Sequence, residues 1–243
     1  MTVEMKYELV ETELTAMEIP GPIIKLYQVK ALKDFSDVKK GDLGGYVAGY
    51  HNLTQEGDAW IYDKAKVYGA ALVSENAKVG DQAEVAGRAL IKGKARVYNK
   101  AYVMDEAIIT DTATVASRAV VRGNARVFGN AEIVDNAHAI DNAMLSGEII
   151  VYGDSYVKGN AQVRGHVWVF GGASIEDNAL VEGSAHVSGI AVVGGTAIVK
   201  ERAHISEMAM VLGESVVSGN TEVKGDTTLK DVKISEGVLG HKD

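Results

Sequence analysis

From Ala59 to Thr227 every sixth residue is small, and two places after each of these, from Ile61 to Leu229, stands an apolar residue. The register runs through 29 consecutive hexads without an insertion or deletion. The small site is Ala in 23 of them, with Ile149, Ser155, Val167, Ser215, Thr221 and Thr227 as departures. The apolar site is Val or Ile except at Ala139, Leu145 and Leu229. Residues two apart on an extended chain point to one side, and the residue between them points to the other. Two places beyond the apolar site lies a position, from Asp63 to Gly225, held by Gly in 16 of 28 cases, by Asp in seven and by Asn99 once. These residues best tolerate left-handed backbone angles. Each unit therefore reads as a short strand and a tight corner. An amphipathic helix would need spacings of three and four, and the repeat has neither.

Such a repeat specifies an all-β solenoid. Three hexads close a triangular coil of 18 residues, the coils stack in parallel, and the Ala/Val pairs fill a narrow interior. The hexads make between nine and ten coils, a rod of roughly 45 Å at about 4.8 Å per coil. The hexads resemble the left-handed parallel β-helix of the hexapeptide-repeat acyltransferases, and only that resemblance implies the left hand.

Residues 1–52 precede the strict repeat. Met5–Val10, Leu14–Ile19 and Ile23–Leu32 read as strands, with Pro20-Gly21-Pro22 turning between the last two and Asp42-Leu43-Gly44-Gly45 bending toward the first coil. An open β-helix end exposes unpaired backbone and apolar side chains, so this N-terminal β segment is expected to cap it. The repeat fails after Leu229, where Lys233 and Ser235 fall on inward sites. The β-helix is therefore expected over 53–230, with a short polar tail over 231–243. The run Ala31-Leu32-Lys33-Asp34-Phe35-Ser36-Asp37-Val38-Lys39-Lys40-Gly41-Asp42-Leu43-Gly44-Gly45-Tyr46-Val47, followed by Asn52-Leu53 and Trp60-Ile61-Tyr62-Asp63, is similar to the start of an uncharacterised family. Its members are acyltransferase-like β-helix proteins of bacterial, prophage and phage genomes. The resemblance spans nearly the whole chain and brings no established catalytic residues.

A net charge of −8 without a long basic run argues against nucleic acid as a partner. The absence of Cys removes disulfides, thiolate zinc sites and Cys nucleophiles. Met1 to Lys6 lacks the apolar core of a secretion signal, and no apolar stretch is long enough to span a membrane, so a cytoplasmic protein is expected.

Positions 18 apart stack on one outer face. The first face carries Leu72, Leu90, Ile108, Arg126, Met144, Gln162, Leu180, Ile198 and Val216. Seven of these nine are large and apolar, which marks an interface. A homotrimer, as in the β-helix acyltransferases, is the expected partner arrangement, and coverage by the N-terminal segment or the tail is the alternative. The second face carries Trp60, Lys78, Arg96, Thr114, Glu132, Ile150, Trp168, His186, His204 and Glu222, with Tyr62, Tyr98, Val134, Tyr152 and Phe170 at the adjoining corner. Aromatic rings on such a ladder stack on sugars, bases or partner side chains, or simply fill corners. Trp168, Tyr152, Phe170, His186 and His204 are the ligand-binding candidates. The third face, from Lys66 through Tyr102, His138 and Tyr156 to Thr228, reads as ordinary solvated surface.

Two classes of function are in view. A non-catalytic oligomeric scaffold, holding a host protein or a small ligand and needing no cofactor, accounts for the uninterrupted coils. Alternatively, by resemblance, acyl transfer from acetyl-CoA or another coenzyme A thioester would use His186 or His204 as general base, oriented by Glu222, at a subunit interface. Against it, no extruded loop interrupts the hexads and few residues follow the repeat. A zinc site on His186, His204 and Glu222 would lack a fourth ligand converging from a flat face, so no metal is expected. His51, His166 and His241 offer less.

Overall fold

The computed structural model describes residues 5–17 and 21–240. Met1–Glu4, Pro20 of the expected turn and His241 lie outside the described residues. Among those described there is no α-helix, and the chain forms three sheets of 13, 11 and 10 strands. The solenoid strands are mostly two residues long, and each pairs in parallel with the strand 18 residues away, as Arg96–Val97 does with Lys78–Val79 and Thr114–Val115. The parallel coils are the expected all-β solenoid. Eleven strands on the second face make it deeper than the hexads alone imply.

Alternation decides what is inside. Val127 and nearly every other small and apolar repeat residue is fully buried in one continuous cluster. All 28 corner positions have positive φ, including Asp, Asn, Ser and Glu residues such as Glu75 and Ser117. The corner carboxylates have a second use. Asp105 accepts a hydrogen bond from Gly123 N at 3.0 Å, and Glu207 accepts one from Gly225 N at the same distance. The corner amide of one coil lies outside the strand ladder, so the acid of the preceding coil satisfies it.

The N-terminal segment forms β1 (Tyr7–Met17), β2 (Ile23–Ala31) and β3 (Leu43–Val47). The first is continuous where the sequence suggested two strands. An irregularity between Glu11 and Thr15 takes up the polar stretch, and Thr12 Oγ1 donates to Leu26 O at 2.6 Å there. β1 and β2 are antiparallel, as are β2 and β3, whereas β3 runs parallel to Lys66–Val67. The three strands thus prolong the third face. Gly44 and Gly45 press directly on the first coil, where a side chain would collide with the carbonyl oxygens of Ile61 and Ala65. Tyr7, Val29, Val38 and Leu53 join the solenoid core. Lys6 is 1% exposed, and its Nζ donates to Ala59 O at 2.9 Å and Gly57 O at 3.2 Å.

This packing corrects the place of Trp60. The residue falls on an outward register position, yet it is 2% exposed, with Phe35 at 5.3 Å and Tyr7 at 6.3 Å between ring centres. At the far end, winding continues past the hexads by a slipped register. Val217 faces Ile234 and Val223 faces Leu239, so two corners are shortened. The slip turns Lys233 outward and sets Ile234, not Ser235, against the core.

Candidate functional site

The second face presents the densest array of rings. Its ladder runs Ile150, Trp168, His186, His204, Glu222, each beside the next in parallel register. Trp168 is 45% exposed and stacks on His186, with ring centres 5.2 Å apart and planes inclined by 14°. The stack forms because equivalent side chains on adjacent parallel strands leave their coils in the same direction, about 4.8 Å apart. His204 meets His186 edge-on at 5.8 Å. At the adjoining corner Tyr152 and Phe170 stack at 5.1 Å with planes 6° apart. Trp168, His186, His204, Tyr152 and Phe170 thus share one stretch of surface.

Burial holds the imidazole of His186 below the ordinary histidine range, and the nearby His204 adds to the shift. His204 Nε2 lies 3.5 Å from Ser188 Oγ, a residue that sequence reasoning passed over although the same register leads to it. Glu222 adjoins His204 on the ladder, but its carboxylate stands 3.6 Å from Lys224 Nζ. The Trp–His–His column can stack a flat group and offer it a hydrogen bond. As arranged, the Glu222–Lys224 ion pair competes with the orienting role that acyl transfer would give Glu222. Among the described residues no cluster of three His, Asp or Glu is disposed to hold a metal ion.

On the first face, Leu72, Leu90, Ile108, Leu180, Ile198 and Val216 are half-buried by their ladder neighbours, and Met144 is exposed. The N-terminal strands join the third face, so they do not lie over this stripe.

The third face is less ordinary than its sequence suggests. His138 and Tyr156 stack at 4.6 Å, and Lys66 pairs with Glu84 at 2.8 Å. The same 18-residue spacing that reveals Trp168 and His186 reveals both pairs. A cleft of about 390 Å³ lies there between Lys64, Lys66, Gln82, Glu84, Lys100 and Tyr102. No described helix is long and apolar enough to cross a membrane. Neither a protein-family model nor a curated protein matches the chain.

Proposed function

We propose that the chain is a non-catalytic β-helix scaffold that binds a flat ligand or an exposed aromatic side chain on its second face and self-associates through its first. The observation that carries this reading is the Trp168 ring, nearly half exposed yet held parallel to His186. A large aromatic surface fixed in place and left open loses little conformational freedom on binding, which favours it as an anchor. Tyr152 and Phe170 widen the platform at the corner. The resemblance of the N-terminal block to phage and prophage proteins supplies the setting: a cytoplasmic protein whose occupant is a host protein or a small host metabolite, with a capped, left-handed rod as carrier.

Trp168 provides its own assay, because the only other tryptophan, Trp60, is buried. Titration with nucleosides, aryl glycosides and aromatic peptides should give saturable quenching for at least one class, lost in Trp168→Ala. Capture from host lysate should likewise depend on Trp168. If no class quenches and Trp168→Ala captures the same partners, the platform reading fails.

The adjacent His186 and His204 rings, 5.8 Å apart, favour one second reading, acyl transfer from a coenzyme A thioester with a His as general base. Thioester turnover with a panel of hydroxyl and amine acceptors, abolished in both His186→Ala and His204→Ala, would support it over the scaffold.

A further inference from the structure

The apolar stripe of the first face is self-complementary when reversed about Met144. Three aliphatic residues, Leu72 to Ile108, lie on one side in unbroken ladder register, and three, Leu180 to Val216, lie on the other. Between the blocks stand Arg126, Met144 and Gln162, with the polar pair symmetric about the methionine. Turning one rod end for end against another therefore sets aliphatic block on aliphatic block, Arg126 on Gln162 and Met144 on Met144. Aligning the rods in the same direction instead brings Arg126 against Arg126.

Charge along the rod points the same way. Residues 58–130 hold eleven Lys and Arg against eight Asp and Glu, whereas residues 131–230 hold six against thirteen. Same-direction packing lays the acidic halves beside each other. Reversed packing lays each acidic half beside a basic one, the arrangement electrostatics favours.

From these two observations we infer that the protein forms an antiparallel homodimer through this face, with its two-fold axis at Met144. The inference rests on the proposed self-association and specifies its geometry, in place of the same-direction trimer that the family resemblance suggests. Nine strands about 4.8 Å apart and a face roughly 15 Å wide bury on the order of 1,200 Å² in total, the lower end of what stable interfaces use. An isologous contact also closes on itself, so the rods do not grow into filaments.

The chain has no cysteine, so introduced ones report geometry without background. The native protein should sediment as a dimer, and Met144→Cys should be joined to itself by oxidation or by a short bis-maleimide. Leu90→Cys should be joined to Ile198→Cys when the two chains are co-expressed, and neither should be joined to itself. A Leu90→Cys chain that links to itself, or a native trimer, overturns the antiparallel arrangement and leaves the scaffold's self-association standing. A native monomer in which Met144→Cys fails to link overturns both.

Discussion

One coil departs from the interior pattern in three places at once, once toward a smaller residue and twice toward larger ones. Ala139 stands where the other coils have Val, Ile or Leu, Leu145 has one carbon more than valine, and Ile149 fills a site that is Ala in 23 hexads. All three are 0% exposed in the same core. Ile149 carries three carbons that alanine lacks while Ala139 lacks two that valine has, and the expectation is that the larger residue fills the space the smaller one leaves in this shared core. Ile149→Ala removes about 2.4 kcal/mol of transfer free energy at roughly 0.8 kcal/mol per buried carbon, and the unfilled cavity brings the loss to about 3–4 kcal/mol. Ala139→Val alone overpacks the coil and costs about 1–3 kcal/mol. Combining them moves volume from one wall to the other, so the double variant should be more stable than Ile149→Ala by about 1 kcal/mol or more. Urea unfolding of the four proteins, followed by circular dichroism at constant slope, measures the coupling. Additive losses within about 0.5 kcal/mol would refute the idea that this coil is filled by compensation.

Lys6 should make stability rise with pH. Burial lowers its pKa from 10.5 to about 8, so between those values the unfolded chain binds more protons than the folded one. The gain from pH 7 to 10 is about 2.5 kcal/mol, and denaturation of Lys6→Met across that window should be flat by comparison. Asp37 works in the opposite sense at acid pH. Its contact with Lys78 at 2.7 Å holds its pKa down at about 2, so its stabilisation is present above pH 4 and disappears as pH falls through 2. Because the carboxylate is 59% exposed, solvent screening limits the loss in Asp37→Asn to below about 1 kcal/mol in thermal denaturation. At the corner, Gly147 has φ +110°, and a methyl group there would meet Gly165 O at 2.5 Å. Gly147→Ala should cost more than about 2 kcal/mol in urea unfolding, whereas Glu207→Gly should be nearly neutral. The latter change relieves a positive φ of 60° but removes the acceptor for Gly225 N.

Interior, corners and stacking were legible in the hexads because each is a strictly local consequence of period six. Val127, Asp105 and the Trp168–His186 stack are all placed by counting. The N-terminal strands were legible as strands but not as the third face's continuation, since β-pairing across sequence carries no periodic signal. Trp60 shows the consequence: counting puts it outside, and the non-local contact with Tyr7 and Phe35 puts it inside. The last coil was missed for a related reason. Shortening two corners by one residue each shifts Lys233 outward while preserving backbone pairing, and a strict register reads that slip as an end. At the candidate site the rings could be located from sequence, but the choice of Lys224 as the partner of Glu222 depends on side-chain geometry that spacing does not encode.

The chain's acidity illustrates how composition misleads when the fold consumes it. Ten of the 33 Asp and Glu residues sit at corner positions, from Asp63 to Glu207, and each accepts the backbone amide of the corner one coil on. A corner needs a residue that tolerates positive φ, and the next corner's amide needs an acceptor; Asp answers both demands and glycine only the first. Those ten charges follow from the architecture of a β-solenoid, whatever its partner. Without them the remaining residues would carry a net charge of about +2, by subtraction from −8. Global charge is therefore a poor guide to what this rod binds, and the distribution along its length, basic over 58–130 and acidic beyond, is the quantity that bears on recognition.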